Sequence, residues 1–169
     1  MSASRRHCDS LVPGATVLIR PATPRDREWI LPLAPRLHDF GPPPLRLRDV
    51  MDRAVVASID GALTGAALGA VVLVAESADG SPLGFIHLHG ARDFFTGEEH
   101  GHVSDIVVRA EAEGRGVGQR LMTAAEDWAR ERGYRLLSLH VFEGNARARA
   151  FYERLGYRAD IRRLIKPLR

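Results

Sequence analysis

The stretch that most constrains this chain is Val103 to Leu121, which reads VSDIVVRAEAEGRGVGQRL. A run rich in β-branched residues enters a loop with Gly114, Gly116 and Gly118, and a long helical pattern follows at once. Glycines lack Cβ, so successive N–H groups can turn toward one point. The helix start adds N–H donors without intrahelical partners and the positive end of the helix dipole. Together these make an anion site suited to a phosphate or pyrophosphate.

The remaining pattern builds an α/β frame around that segment. Thr16 to Arg20 reads as a short strand ended by Pro21. Arg25 to His38 is helical in character but broken by Pro32 and Pro35, and Gly41-Pro-Pro-Pro44 reads as a stiff linker. Leu45 to Leu68 reads as a helix weakened by Gly61 and Gly65. Val71 to Ser77 and Pro82 to Gly90 form a hairpin about Asp79-Gly80. After a polar loop from Asp93 to Gly101 comes a strand from Val103 to Arg109.

Val117 to Arg132 is the clearest helix, with Val117, Leu121, Ala124, Ala125 and Trp128 at helical spacing and Gly133 placed to stop it. Arg135 to Phe142 alternates as a strand, Asn145 can cap a helix ending at Gly156, and Tyr157 to Ile165 reads as a final strand. The order implies a mixed α/β sheet with helices on both faces.

Length and charge narrow the function classes. The chain has 169 residues, enough for one domain, expected over 16–169 behind a loose segment 1–15. Its 24 basic and 21 acidic residues leave +3, less than a dedicated nucleic-acid binder concentrates. Lys166 is the single lysine, so arginine lifts the isoelectric point. A lone Cys8 excludes an internal disulfide and a Cys-rich metal site, which makes a reducing cytoplasm the expected location. Arg5 and Arg6 precede an apolar run, but Pro13 and Gly14 interrupt it and no small-residue cleavage site follows, so no signal peptide is expected. The uncharged stretch from Gly61 to Ala75 is too short for a bilayer span, and no membrane association is expected.

Three phosphate-loop chemistries compete for the glycines. A Walker loop needs Gly-Lys-Ser/Thr where this chain has Gly118-Gln119-Arg120. A dinucleotide fingerprint begins with Gly114-x-Gly116 but meets Gln119 in place of its third glycine. The third is a coenzyme A loop of pattern Gln/Arg-x-x-Gly-x-Gly/Ala, which Glu113-Gly-Arg-Gly116-Val-Gly118 matches except at its first residue. A second motif stands downstream: Asn145-Ala-Arg-Ala148-Arg-Ala-Phe-Tyr152-Glu-Arg-Leu-Gly156-Tyr157. It resembles the Asn-x-x-Ala-x-x-x-Tyr-x-x-x-Gly-Phe signature of the GNAT N-acetyltransferase superfamily, the family that owns the coenzyme A loop. The resemblance covers Val17 to Ile165 in element order.

That resemblance implies a GNAT fold, a mostly antiparallel sheet of six to seven strands, and transfer of acetyl from acetyl-CoA to an amine in a ternary complex. A coenzyme A-binding module without catalysis is the alternative. In the family, the strand before the loop parts from its neighbour and pairs with the pantetheine arm; the matching residues are Ile106, Val107 and Val108. The pyrophosphate site falls on Gly114, Arg115, Gly116, Val117, Gly118 and Gln119. Glu113 departs from the family and is expected to face solvent, with Arg115 or Arg120 compensating its charge.

Asn145 is both a helix cap and a candidate pantetheine contact, and Tyr152 is the candidate acid for the departing thiolate. Candidate bases are His140, then Asp105, then His102, an imidazole suiting neutral pH. His87, His89, His100 and His102 raise the question of a metal; each pair is read on its own strand face, with few carboxylates at ligand spacing, so none is expected. Asp93, Glu98, Glu99 and Asp105 make the loop before the strand acidic, which favours a cationic amine acceptor, a small amine or an N-terminal one. Asn145 to Arg169 carries eight basic and two acidic residues, a local +6 that suits the phosphates of coenzyme A. A monomer or homodimer is expected.

Overall fold

The computed structural model describes residues 16–41 and 43–168, so the loose segment expected over 1–15 lies outside the described residues. Five strands form one sheet in the order β1-β2-β3-β4-β5: β1 (Val17–Pro21), β2 (Val71–Ser77), β3 (Pro82–Arg92), β4 (Glu99–Val108) and β5 (Leu137–Leu139). The first four pair antiparallel, and β5 joins β4 in parallel. The helices are α1 (Arg27–Leu33), α2 (Arg48–Leu63), α3 (Val117–Glu131) and α4 (Ala146–Arg154). Short 3₁₀ turns at Pro24–Asp26, Ala34–His38 and Ala110–Ala112 complete the elements.

Alternation along β3 sorts the core into two. Ile86 and Leu88 face α3, where they join Val103, Leu121, Met122, Ala125 and Trp128. Phe85 faces the other way, with Val72, Val74 and Val107 against Ile30 of α1, Ala34 of the 3₁₀ turn after it and Ile59 of α2. The helices therefore lie on both faces, as the element order implies. The α3 stripe works largely as read: Val117, Leu121, Ala125 and Trp128 are buried, Ala124 is half-buried, and Gly133, at φ +73°, stops the helix.

Several expectations fail. The sheet has five strands among the described residues, not six to seven, because Tyr157 to Ile165 forms no strand. Its apolar residues Ile161, Leu164 and Ile165 are exposed and are not held against the sheet. The expected helix over 25–38 is only a short α1 between 3₁₀ turns, with prolines at the interruptions. The next helix spans Arg48–Leu63 and is cut at Thr64-Gly65, where Gly65 takes φ +76°. Strand β4 begins at Glu99, four residues early, because the turn Asp93–Glu98 is tight enough to continue the β3 ladder outward.

Candidate active site

Strands β4 and β5 pair only over Gly101–Val103 and Leu137–Leu139. Strand β4 then continues along β3 to Val108, so its other edge, Ser104 to Val108, has no strand beside it. Arg109 donates its N–H to the Leu83 carbonyl on β3 at 2.8 Å. Backbone groups alternate along a strand, so Val107 turns toward β3 while Ile106 and Val108 turn toward the bare edge. Val107 instead packs its side chain into the α1–α2 core.

The glycine loop follows directly. Gly114 and Gly116 hold φ of +73° and +78° with nothing within 4 Å of where a Cβ would sit, so dihedral rather than space demands glycine there. Gly118 differs: a Cβ would meet the Phe151 ring at 3.3 Å, so this glycine lets α4 approach α3. The first bond closing α3 runs from Arg120 N–H to Gly116 C=O at 3.1 Å, which leaves the N–H groups ahead of it at the helix mouth. Val117 is buried, while Arg115 and Gln119 are exposed at that mouth. Arg115 and Arg120 make no ion pair among the described residues.

Glu113 does not face solvent. It binds Arg36 at 3.0 Å and Arg147 of α4 at 2.7 Å, so these two, not Arg115 or Arg120, neutralise it. The partner Arg36 lies 77 residues away in sequence, beyond any local signal. Asn145 caps α4 by accepting from Ala148 N–H at 3.1 Å, which leaves its amide N–H₂ free of that bond. Tyr152 packs between Phe151 and Tyr157 at ring distances of 5.3 and 6.1 Å. Burial and the nearby Asp105 carboxylate push its phenol up to about 12.

Opposite α4, the sheet carries a cluster of imidazoles. The β3–β4 register shifts by one between His87 and Leu88, making Ser104 an extra residue of β4. Because of this bulge, His102 and Asp105 share one face, with His87 and His89 beside them. The expectation of separate faces for the two histidine pairs is thus wrong: the His89 and His102 rings are 5.1 Å apart. His140, exposed just beyond β5, continues the series at 4.8 Å from His102. Ser138 Oγ sits 3.0 Å from His100 Nε2 and 2.8 Å from His102 Nδ1. Desolvation, then the neighbouring imidazoles, pull His102 down to about 4.

Asp105 takes a hydrogen bond from His87 Nδ1 at 2.9 Å, a partner that only the strand register reveals. Among the described residues no group of three or more His, Cys, Asp or Glu is placed to hold a metal ion, and no helix is long and apolar enough to cross a membrane.

Of the four acidic residues only Asp105 lies along the bare edge; Glu98 stands six residues ahead of its start at Ser104, roughly 20 Å at about 3.3 Å per residue. The loop's charge is also engaged locally, Asp93 by Phe95 and Thr96 and Glu99 by Arg92.

The chain as a whole has counterparts among known proteins. A family model described as the acetyltransferase (GNAT) family matches residues 27–157. A Bacillus subtilis (strain 168) protein named as an uncharacterized N-acetyltransferase, YhfO, is 33% identical over 90 residues, 53% of this chain; the match spans 60% of that relative's length. A Trypanosoma brucei acetyltransferase superposes with a TM-score of 0.64 at 26% identity, over 90% of this chain and 100% of that one. An aminoglycoside N-acetyltransferase, AAC(6')-Iy, solved in complex with CoA, superposes with a TM-score of 0.71 at 23% identity, over 94% and 99% of the two chains, a likeness of fold. With a family model spanning most of its length, this chain belongs to the GNAT acetyltransferase family.

Proposed function

We propose that the protein transfers the acetyl group of acetyl-CoA to an amine by direct attack in a ternary complex. The observation that carries this is the bare edge of β4 ending at an N–H-rich helix mouth. An extended, amide-bearing arm adds to such an edge as a strand does. Ile106 and Val108 offer it backbone donors and acceptors, and Asn145 offers a side-chain amide. The loop from Gly114 to Gln119 offers the phosphates its N–H groups and Arg115 its charge. The Ile106 N–H is a candidate donor to the carbonyl oxygen as it gains charge, an effect worth about 3 kcal/mol for one such donor.

In the transfer, the amine nitrogen bonds to the acetyl carbon, the carbon–sulfur bond breaks, and sulfur leaves as a thiolate. The Tyr152 hydroxyl supplies the thiolate's proton, and the proton that the acylated nitrogen sheds on becoming an amide restores the phenol. Before attack the ammonium must lose one. His102, held at about 4, is too weakly basic to keep it while the amine attacks, which leaves Asp105 and His140 of the expected candidates. The carboxylate of Asp105, on β4 beside the bare edge, also favours a cationic acceptor over a neutral one.

Calorimetry with acetyl-CoA and a thiol-release assay with a primary amine test this reading. Binding, and thiol release that depends on the amine, are expected. No binding at millimolar acetyl-CoA overturns it, and binding without turnover of any amine favours the non-catalytic module. Tyr152→Phe is expected to lower kcat by about 10²-fold while acetyl-CoA affinity holds. An unchanged kcat removes Tyr152 from the acid role.

A further inference from the structure

We propose that His87 accepts the proton of the incoming ammonium, oriented by Asp105, and that His89, His102 and His140 pass it to solvent. The inference rests on the acetyltransferase reading and names the group that completes it. His87 is 3% exposed, and its Nδ1 is held 2.9 Å from the Asp105 carboxylate. That bond makes Nδ1 the protonated nitrogen and leaves Nε2 with a lone pair. Nε2 is buried and has no hydrogen-bond partner. A buried polar atom left unpaired in this way costs free energy, and such atoms are kept where chemistry uses them. An Asp–His pair with one free nitrogen is the arrangement by which a carboxylate fixes an imidazole as a base.

The route outward is on the same face. Ring centroids step from His87 to His89 at 6.4 Å, to His102 at 5.1 Å and to His140 at 4.8 Å, spacings that an imidazole or a single water spans. His140 is exposed. His102 is neutral at pH 7, so it hands a proton on rather than retaining it.

The same uptake helps the acid. The Asp105 carboxylate is one cause of the raised Tyr152 phenol. A proton gained by the His87–Asp105 pair cancels that negative charge and eases the phenol's proton toward the thiolate. Other titratable groups on the elements around the site include His100 of β4, 3.0 Å from Ser138 Oγ, His38 and Asp52, bonded to each other at 2.6 Å, Arg36 and Arg48 on the α1–α2 side, and Tyr152 on α4.

The test compares two acceptors in wild type, His87→Gln and His140→Gln. One is a primary alkylamine, which arrives as an ammonium; the other is methoxyamine, which arrives uncharged at pH 7. His87→Gln is expected to lower kcat for the alkylamine by about 10²-fold or more and to leave methoxyamine within about threefold. The alkylamine loss should shrink as pH rises and free amine becomes available. His140→Gln, at an exposed site that secures folding, is expected to cost the alkylamine about tenfold and methoxyamine nothing. Acetyl-CoA affinity by calorimetry should be the same in all three proteins. Equal losses for both acceptors, or no loss in His140→Gln, overturn the proposal. A wild type that binds no acetyl-CoA or turns over neither acceptor removes the acetyltransferase reading and this inference with it.

Discussion

The Asp26 carboxylate receives two hydrogen bonds from Arg20 at 2.8 and 2.9 Å, two from Thr23 and one from the Trp29 indole at 3.1 Å. It is 5% exposed, and the Arg20 guanidinium holds its carboxyl well below the ordinary carboxylate range. Its folded-state value lies below its unfolded value, so the stability it contributes is fully present above about pH 4. That contribution is lost as pH falls through the depressed folded value. Asp26→Asn is expected to cost about 2–4 kcal/mol at pH 7, since one partner of a buried ion pair is removed. The gap to wild type should narrow from pH 4 toward pH 2. Urea melts across that range check it, and a gap independent of pH refutes the assignment. Thr23 and Asp26 stand at capping-box spacing, yet Arg20 and Trp29 come to the carboxylate from outside the box.

At the scale of elements, the glycine loop and α4 were legible because their signals are local. Left-handed glycines, a helix cap and an apolar stripe each act within a few residues, and Gly116, Asn145 and α3 are where the sequence places them. Glu113 was misread because its partners come from a 3₁₀ turn and from α4. Two predictions follow from that contrast. Gly116→Ala forces a side chain into φ +78°, about 1–2 kcal/mol of strain, and should weaken acetyl-CoA binding more than it lowers Tm. Comparable affinity in calorimetry would detach this loop from the phosphates. Glu113→Gln restores the residue type the family pattern carries and frees Arg36 and Arg147. Its pairs are partly exposed, so stability should change by less than about 1 kcal/mol. Acetyl-CoA should bind about three- to tenfold tighter, with a steeper fall in added salt. Weaker binding would mean that Glu113 orders the loop.

Across the whole molecule, the order of elements was readable and the sheet's outer edge was not. Hydrophobic period identifies a strand, but pairing depends on what else occupies the neighbouring edge. Histidines 87 and 102 illustrate this: both lie on strands as read, yet one extra residue at Ser104 decides that they share a face. The last segment illustrates it more sharply. Residues 158–165 read as part of a strand, but they form none, and the sheet ends at β5, only Leu137–Leu139 long. Ile161 is 70% exposed and Leu164 84%, so the segment contributes almost no apolar burial. Its one ion pair among the described residues, Arg162 to Glu143 at 3.8 Å, is exposed at both ends and adds little. Tyr157, by contrast, packs on the α3 core. Ending the chain at Tyr157 is therefore expected to change unfolding free energy by less than about 0.5 kcal/mol. Ending it at Arg154 removes Leu155 and Tyr157 from that core and should cost about 2–5 kcal/mol. Denaturant melts of the two truncations decide between edge and core. A loss above about 2 kcal/mol on removing residues 158–169 alone would show that the segment completes the sheet after all.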